Sequence, residues 1–115
     1  MIFNTPLLPI GARIGERCLM HIISRRKLQN FWKVYPRAER PLDAWYKRAR
    51  CAEWESLNDV KSIYPRADPY GSLVIFDIGG NKFRLIVAIH YNRRKIFVRH
   101  VLTHEEYTRG DWKKE

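Results

Sequence analysis

The sequence predicts an α+β domain with two helices packed on one face of an antiparallel sheet. Three observations carry that prediction. Residues 72–107 hold three runs rich in β-branched and aromatic residues, parted by breaks too short for a parallel crossover. Two stretches upstream repeat apolar residues at helical spacing. The order, one short strand, two helices, a short helix and then three strands, keeps the helices apart from the main sheet.

Residues 1–19 have no clear period, and Pro6, Pro9, Gly11 and Gly15 interrupt them. They lack the basic start and continuous apolar centre of a signal peptide. They read as an N-terminal extension of a domain spanning residues 20–115, with Met20 as a fresh beginning. The rival reading is a genuine tail, flexible or ordered by a partner. His21-Ile22-Ile23 suits a first short strand. Ser24 is a helix N-cap candidate, and Leu28, Phe31, Trp32 and Tyr35 follow on one helical face until Pro36 stops the run. Pro41 fits the first turn of a second helix, whose Leu42, Trp45, Tyr46 and Ala49 repeat the spacing towards an end near Trp54. Ser56 caps a short helix through Lys61, which Pro65 ends. Residues 68–71 read as a turn. The strands then cover residues 73–78, 82–91 and 96–102, and a polar tail follows with Trp112 as its one large apolar residue after Tyr107.

The chain has 115 residues, enough for one domain and one core. Its formal net charge of +10 favours polyanionic partners. No apolar run reaches the roughly 20 residues of a membrane span, and no polybasic amphipathic helix points to a membrane surface. Cys18 and Cys51 have no local motif, so free thiols in a reducing cytoplasm are the default expectation. Gly79-Gly80-Asn81-Lys82 is not a phosphate loop, because a strand follows where a helix is needed. His100 and His104 without a placed carboxylate or thiolate are a weak metal signal, so no metal or other cofactor is expected.

Alternation puts Phe83, Leu85, Val87, Ile89 and Tyr91 on one face of the middle strand, and Lys82, Arg84, Ile86, Ala88 and His90 on the other. Uninterrupted alternation also sets Arg99, with Phe97 and Val101, on one face of the last strand, so that Arg84 and Arg99 stand on the sheet face turned from the helices. Pairing Tyr91 with Ile96 sets Arg84 opposite Thr103 and gathers Arg84, His104 and Tyr107 at one end of the sheet, although a one-residue slip changes every partner. Taken singly, these read as a solvated charge, a loop histidine and a packing tyrosine. Together, on a basic chain, they form a candidate site.

The same residues carry a resemblance. Met20-His21-Ile22-Ile23, Ser56-Leu57 through Val60-Lys61, Tyr64-Pro65 with Asp68, Gly79-Gly80-Asn81-Lys82-Phe83-Arg84-Leu85 and Thr103-His104-Glu105-Glu106-Tyr107 together resemble the HigB-type toxins of the RelE superfamily, over nearly all of residues 20–115. The resemblance implies a compact RelE-like fold, a twisted antiparallel sheet with N-terminal helices on one side. It also implies an endoribonuclease, an mRNA interferase acting on the ribosome, and a cognate HigA-type antitoxin as partner. In such a site Arg84 suits stabilisation of phosphate charge, His104 suits proton transfer, and Tyr107 suits orienting the 2′-hydroxyl or stacking on a base. Lys61, Asn81, Lys82 and Arg99 are candidate RNA contacts. Two other classes stay open: a non-cleaving RNA- or ribosome-binding module, and a metal-dependent nuclease.

Overall fold

The computed structural model describes residues 18–114. Most of the predicted extension, residues 1–17, lies outside that range. The chain runs β1 (His21–Ile23), α1 (Arg25–Val34), α2 (Glu39–Cys51), α3 (Leu57–Ile63), β2 (Asp68–Tyr70), β3 (Leu73–Ile78), β4 (Phe83–His90), β5 (Lys95–Thr103) and α4 (His104–Arg109). The sheet order is β1-β5-β4-β3-β2.

Three helices form the first layer. α1 buries Leu28, α2 buries Leu42, Trp45 and Ala49, and α3 buries Val60. They pack on the face of the sheet that carries Val74, Phe76 and Ile78 from β3 and Phe83, Leu85 and Val87 from β4. These positions alternate, as a strand with one covered face requires. Ser24 occupies the N-cap of α1 without a hydroxyl capping bond, whereas the Ser56 hydroxyl accepts from the Asp59 backbone N–H and caps α3. α2 ends at Cys51, short of the expected Trp54, which is itself buried in the core.

Several expectations are corrected. The sheet is mixed: β2 to β5 are antiparallel neighbours, but β1 runs parallel to β5 and pairs His21 with Lys95. Residues 68–70 are an edge strand paired to β3, and the reversal falls one residue later, at Gly71 with φ +60°. The β4–β5 hairpin pairs His90 with Lys95, because a 3₁₀ turn takes up Tyr91–Arg93. Arg84 therefore faces Leu102, and Phe83 faces Thr103. A bulge then breaks the alternation of β5. Val87 pairs with Val98 and Ile86 with His100, which leaves Arg99 as the extra residue. Beyond it Val101 falls on the helix side and Leu102 on the side of Arg84, so the face shared by Arg84 and Arg99 does not form. The thiols are not free either. The Met20 backbone N–H donates to the Arg50 carbonyl at 3.1 Å, which lays the chain along the end of α2 and joins Cys18 to Cys51 in a disulfide.

The sheet face opposite the three helices carries a smaller cluster. Ile75, Ile86 and Trp112 are buried there, with Leu73, Leu102 and Tyr107 against them. The polar C-terminal stretch thus folds back onto the sheet through one indole. No helix among the described residues is long and apolar enough to cross a membrane.

Candidate active site

The site begins with a buried charge. Arg84 is 8% exposed, the second residue of β4, on the sheet face turned away from the three helices. Such burial is tolerated only when the charge is paired and its donors are used. Asp77 lies directly across on β3, and its carboxylate meets Arg84 Nε at 3.2 Å. Nη1 donates to the Phe83 and Asn81 carbonyls, each at 3.2 Å, and Nη2 donates to Asn81 Oδ1 at 2.5 Å. The turn that allows this places Gly79 and Gly80 at φ +64° and +76°, a backbone that side chains with a Cβ adopt at a cost.

The second component is Tyr107, whose ring lies 5.0 Å from the Arg84 guanidinium carbon. It is carried by α4, where a polar tail was expected. Thr103 and Glu106 explain the helix. The Glu106 N–H donates to Thr103 Oγ1 at 3.2 Å, and the Thr103 N–H donates to the Glu106 carboxylate at 2.9 Å. This is a capping box, and its Thr-x-x-Glu pattern was present in the sequence. Gly110 ends the helix at φ +80° and lets the chain reverse. Trp112 then stacks on Tyr107 at 5.4 Å and donates its indole N–H to the Tyr107 carbonyl at 3.0 Å.

These parts border an open cavity of about 300 Å³, lined by Lys61, Arg66, Asp68, Asp77, Arg84 and Tyr107 with Ile75 and Pro65 among the apolar residues. Arg66 reaches the second Asp77 oxygen at 3.7 Å, so one carboxylate holds two guanidiniums. Among the described residues no three His, Cys, Asp or Glu side chains come together in a way that could hold a metal ion.

The structure brings Lys61, Arg84 and Tyr107 together, with Asn81 bound to Arg84. Asn81 and Lys82 are exposed on the adjoining turn. His104 is exposed at the start of α4, pinned beside that turn by its backbone N–H to the Lys82 carbonyl at 3.0 Å, and its side chain is not part of the cavity lining. Arg99 stands elsewhere. It borders a groove between α1 and β5 with Lys27, Phe31, Val34 and Tyr35. Asp77, Arg66 and Asp68 were missed as site residues. Asp77 had a signal, an acid in an apolar strand mirrored across the Gly-Gly turn by Arg84. Arg66, in an exposed loop of a basic chain, had none.

The sequence matches the model of a family described as HigB_toxin, RelE-like toxic component of a toxin-antitoxin system, over residues 38–110. The chain belongs to this HigB toxin family. Among curated proteins it is similar to the mRNA interferase HigB of Escherichia coli O6:H1, with 26% identity over 91 residues, covering 76% of this chain and 88% of that protein. The mRNA interferase toxin HigB of Escherichia coli K12 and the mRNA interferase HigB of Shigella flexneri match to the same extent. The match to the HigB family takes in every candidate residue from Lys61 to Tyr107 and stops before Trp112.

Proposed function

We propose that this toxin is an mRNA interferase, an endoribonuclease that cuts mRNA on the ribosome by attack of the neighbouring 2′-hydroxyl. The observation that carries the reading is the cavity itself: in a HigB-family chain of net charge +10, Lys61, Arg66 and Arg84 converge on one aromatic platform, Tyr107.

The chemistry needs a base for the 2′-hydroxyl proton, positive charge for the phosphorane-like intermediate and an acid for the leaving 5′-oxygen. Lys61 and the exposed Arg66 are the cations placed to meet phosphate directly. Arg84 acts from behind them. Its donors serve Asp77, Phe83 and Asn81, and its charge sits against Tyr107. Tyr107 supports the nucleotide at the cut, and His104, held beside the adjoining turn by its backbone, serves in proton transfer. Asn81 and Lys82 hold the flanking backbone. Arg99, in the groove between α1 and β5, is assigned to ribosomal RNA. The partner that silences the toxin is a HigA-type antitoxin.

The non-cleaving reading keeps two observations in its favour: Arg84 is engaged by the protein, and His104 does not line the cavity. Mapping mRNA 5′ ends after brief induction separates the two. New ends in ribosome-bound messages support cleavage. Arrest of translation with intact messages overturns it. Activity that survives a chelator removes any need for an exchangeable metal.

A further inference from the structure

We propose that Tyr70, with Lys113 over it, forms a base-stacking subsite for an unpaired nucleotide of single-stranded RNA, next to the nucleotide held in the Arg84 cavity. The proposal rests on the RNA reading above and extends the site along the sheet edge.

Register places the subsite. Asp68 pairs with Ile75 and Tyr70 with Leu73, so both stand on the sheet face of Asp77 and Arg84. Asp68 lines the cavity, and Tyr70 lies two residues farther along the same strand, about 7 Å away. Aromatic packing then fixes the ring. Trp112, 5% exposed, meets Tyr70 edge-on at 5.1 Å and stacks on Tyr107 at 5.4 Å, and Tyr107 lies under Arg84. A tyrosine that only sealed this cluster would be covered, yet Tyr70 is 44% exposed. The Lys113 ammonium is 5.4 Å from the Tyr70 ring and 5.6 Å from that of Trp112.

An exposed ring held by a buried indole, with an exposed cation beside it, matches a nucleotide in both its parts. The ring offers a π-face to any base, and the cation meets a phosphate. An incoming base displaces the flexible lysine from the ring, and the freed ammonium turns to the backbone. The subsite therefore favours single strands without choosing among bases. Trp112 and Lys113 lie beyond the residues matched to the family model, 38–110, in the turn that follows α4.

The test uses the full chain and a fluorescently labelled hexanucleotide, fully 2′-O-methylated so that it cannot be cut by 2′-hydroxyl attack. Tyr70→Leu keeps apolar cover over Trp112 but removes the aromatic face, and is expected to weaken binding about 5- to 150-fold. Tyr70→Phe is expected to bind like the unaltered chain. Lys113→Met is expected to lower the slope of log affinity against log salt by about 0.7. Unchanged thermal melting shows that Tyr70→Leu still folds. Equal binding by Tyr70→Leu, or no binding by the unaltered chain, overturns the subsite. Cleavage of mRNA on programmed ribosomes is scored separately. An unaltered chain that binds through Tyr70 but cuts nothing removes the nuclease reading and leaves the subsite. One that cuts, while Tyr70→Leu binds and cuts equally well, removes the subsite alone.

Discussion

Four acceptor atoms hold the Arg84 guanidinium: Asp77 Oδ1, the carbonyls of Phe83 and Asn81, and Asn81 Oδ1. Removing the side chain therefore does two things. Arg84→Ala deletes charge beside Tyr107 and strips partners from a half-buried carboxylate. It is expected to lower single-turnover cleavage on mRNA-programmed ribosomes by about 10²–10³ and stability by on the order of 3 kcal/mol, read from urea unfolding. Arg84→Lys keeps the charge but loses the fork, so it should recover part of the rate and less of the stability. The loss of stability sets Arg84 apart from His104. His104 is exposed, so His104→Ala should unfold like the parent while cleavage falls by about 10²–10⁴. Near-parental cleavage by both folded variants would sink these assignments. Arg48→Ala is the charge control, because its guanidinium sits over the Tyr64 ring at 5.9 Å and does not line the cavity.

Among the elements, α4 is short and depends on its cap. It has only six residues, too few to persist without its capping box and the Trp112 stack. Thr103→Ala is expected to cost about 1 kcal/mol. It should lower cleavage further than that loss of stability implies, because α4 presents both His104 and Tyr107. Equal losses in Thr103→Ala and in an exposed α2 variant of matched stability would argue against α4 as the carrier of the site. The α1–α2 pair has a different dependence. Asp43 meets Arg25 at 3.1 Å and Lys47 at 3.0 Å. The hydrogen bond from Lys47, with that from Arg25 and both charges, outweighs burial and holds its carboxyl below the usual 3.8. A folded-state pKa below the unfolded one stabilises above about 3.8 and loses that contribution as pH falls through the folded value. Both cations are exposed, so Asp43→Asn should cost about 0.3–1 kcal/mol at neutral pH. The gap between parent and variant should close as a denaturation series is carried below pH 3.8.

At the scale of the whole molecule, the Cys18–Cys51 disulfide spans 33 residues and ties residue 18 to the end of α2. Closing a loop of that length stabilises by about 3–4 kcal/mol in the chain-entropy picture. We propose that the domain itself begins at Met20, since the regular core starts there. A chain begun at Met20 should then melt cooperatively, at the temperature of the reduced full-length protein and below that of the oxidised one. Loss of cooperative melting would place residues 1–19 within the core.

How much of this was legible in the sequence differs by element. The three main strands, the short first strand and the helical faces were legible, because alternation and the 3.6-residue period follow from local backbone geometry and from the need to bury one face. The closeness of Arg84 and Tyr107 was legible, because strand order and the family-like motifs put them near the same sheet end. The capping box at Thr103 was readable too, from the spacing of two residues, and was passed over for the polar look of the segment. The rest was tertiary. Nothing local marks the bulge at Arg99, since it exists only in the pairing of β5 with β4. That single extra residue sends Arg99 to the α1 side and Leu102 to the side of Arg84. The parallel pairing of β1 joins segments about 75 residues apart, and only the packed helices between them bring the edges together. Arg66 gained its meaning in the same way. A charge acquires a role from what the fold sets against it, and the spacing of residues along the chain does not contain that information.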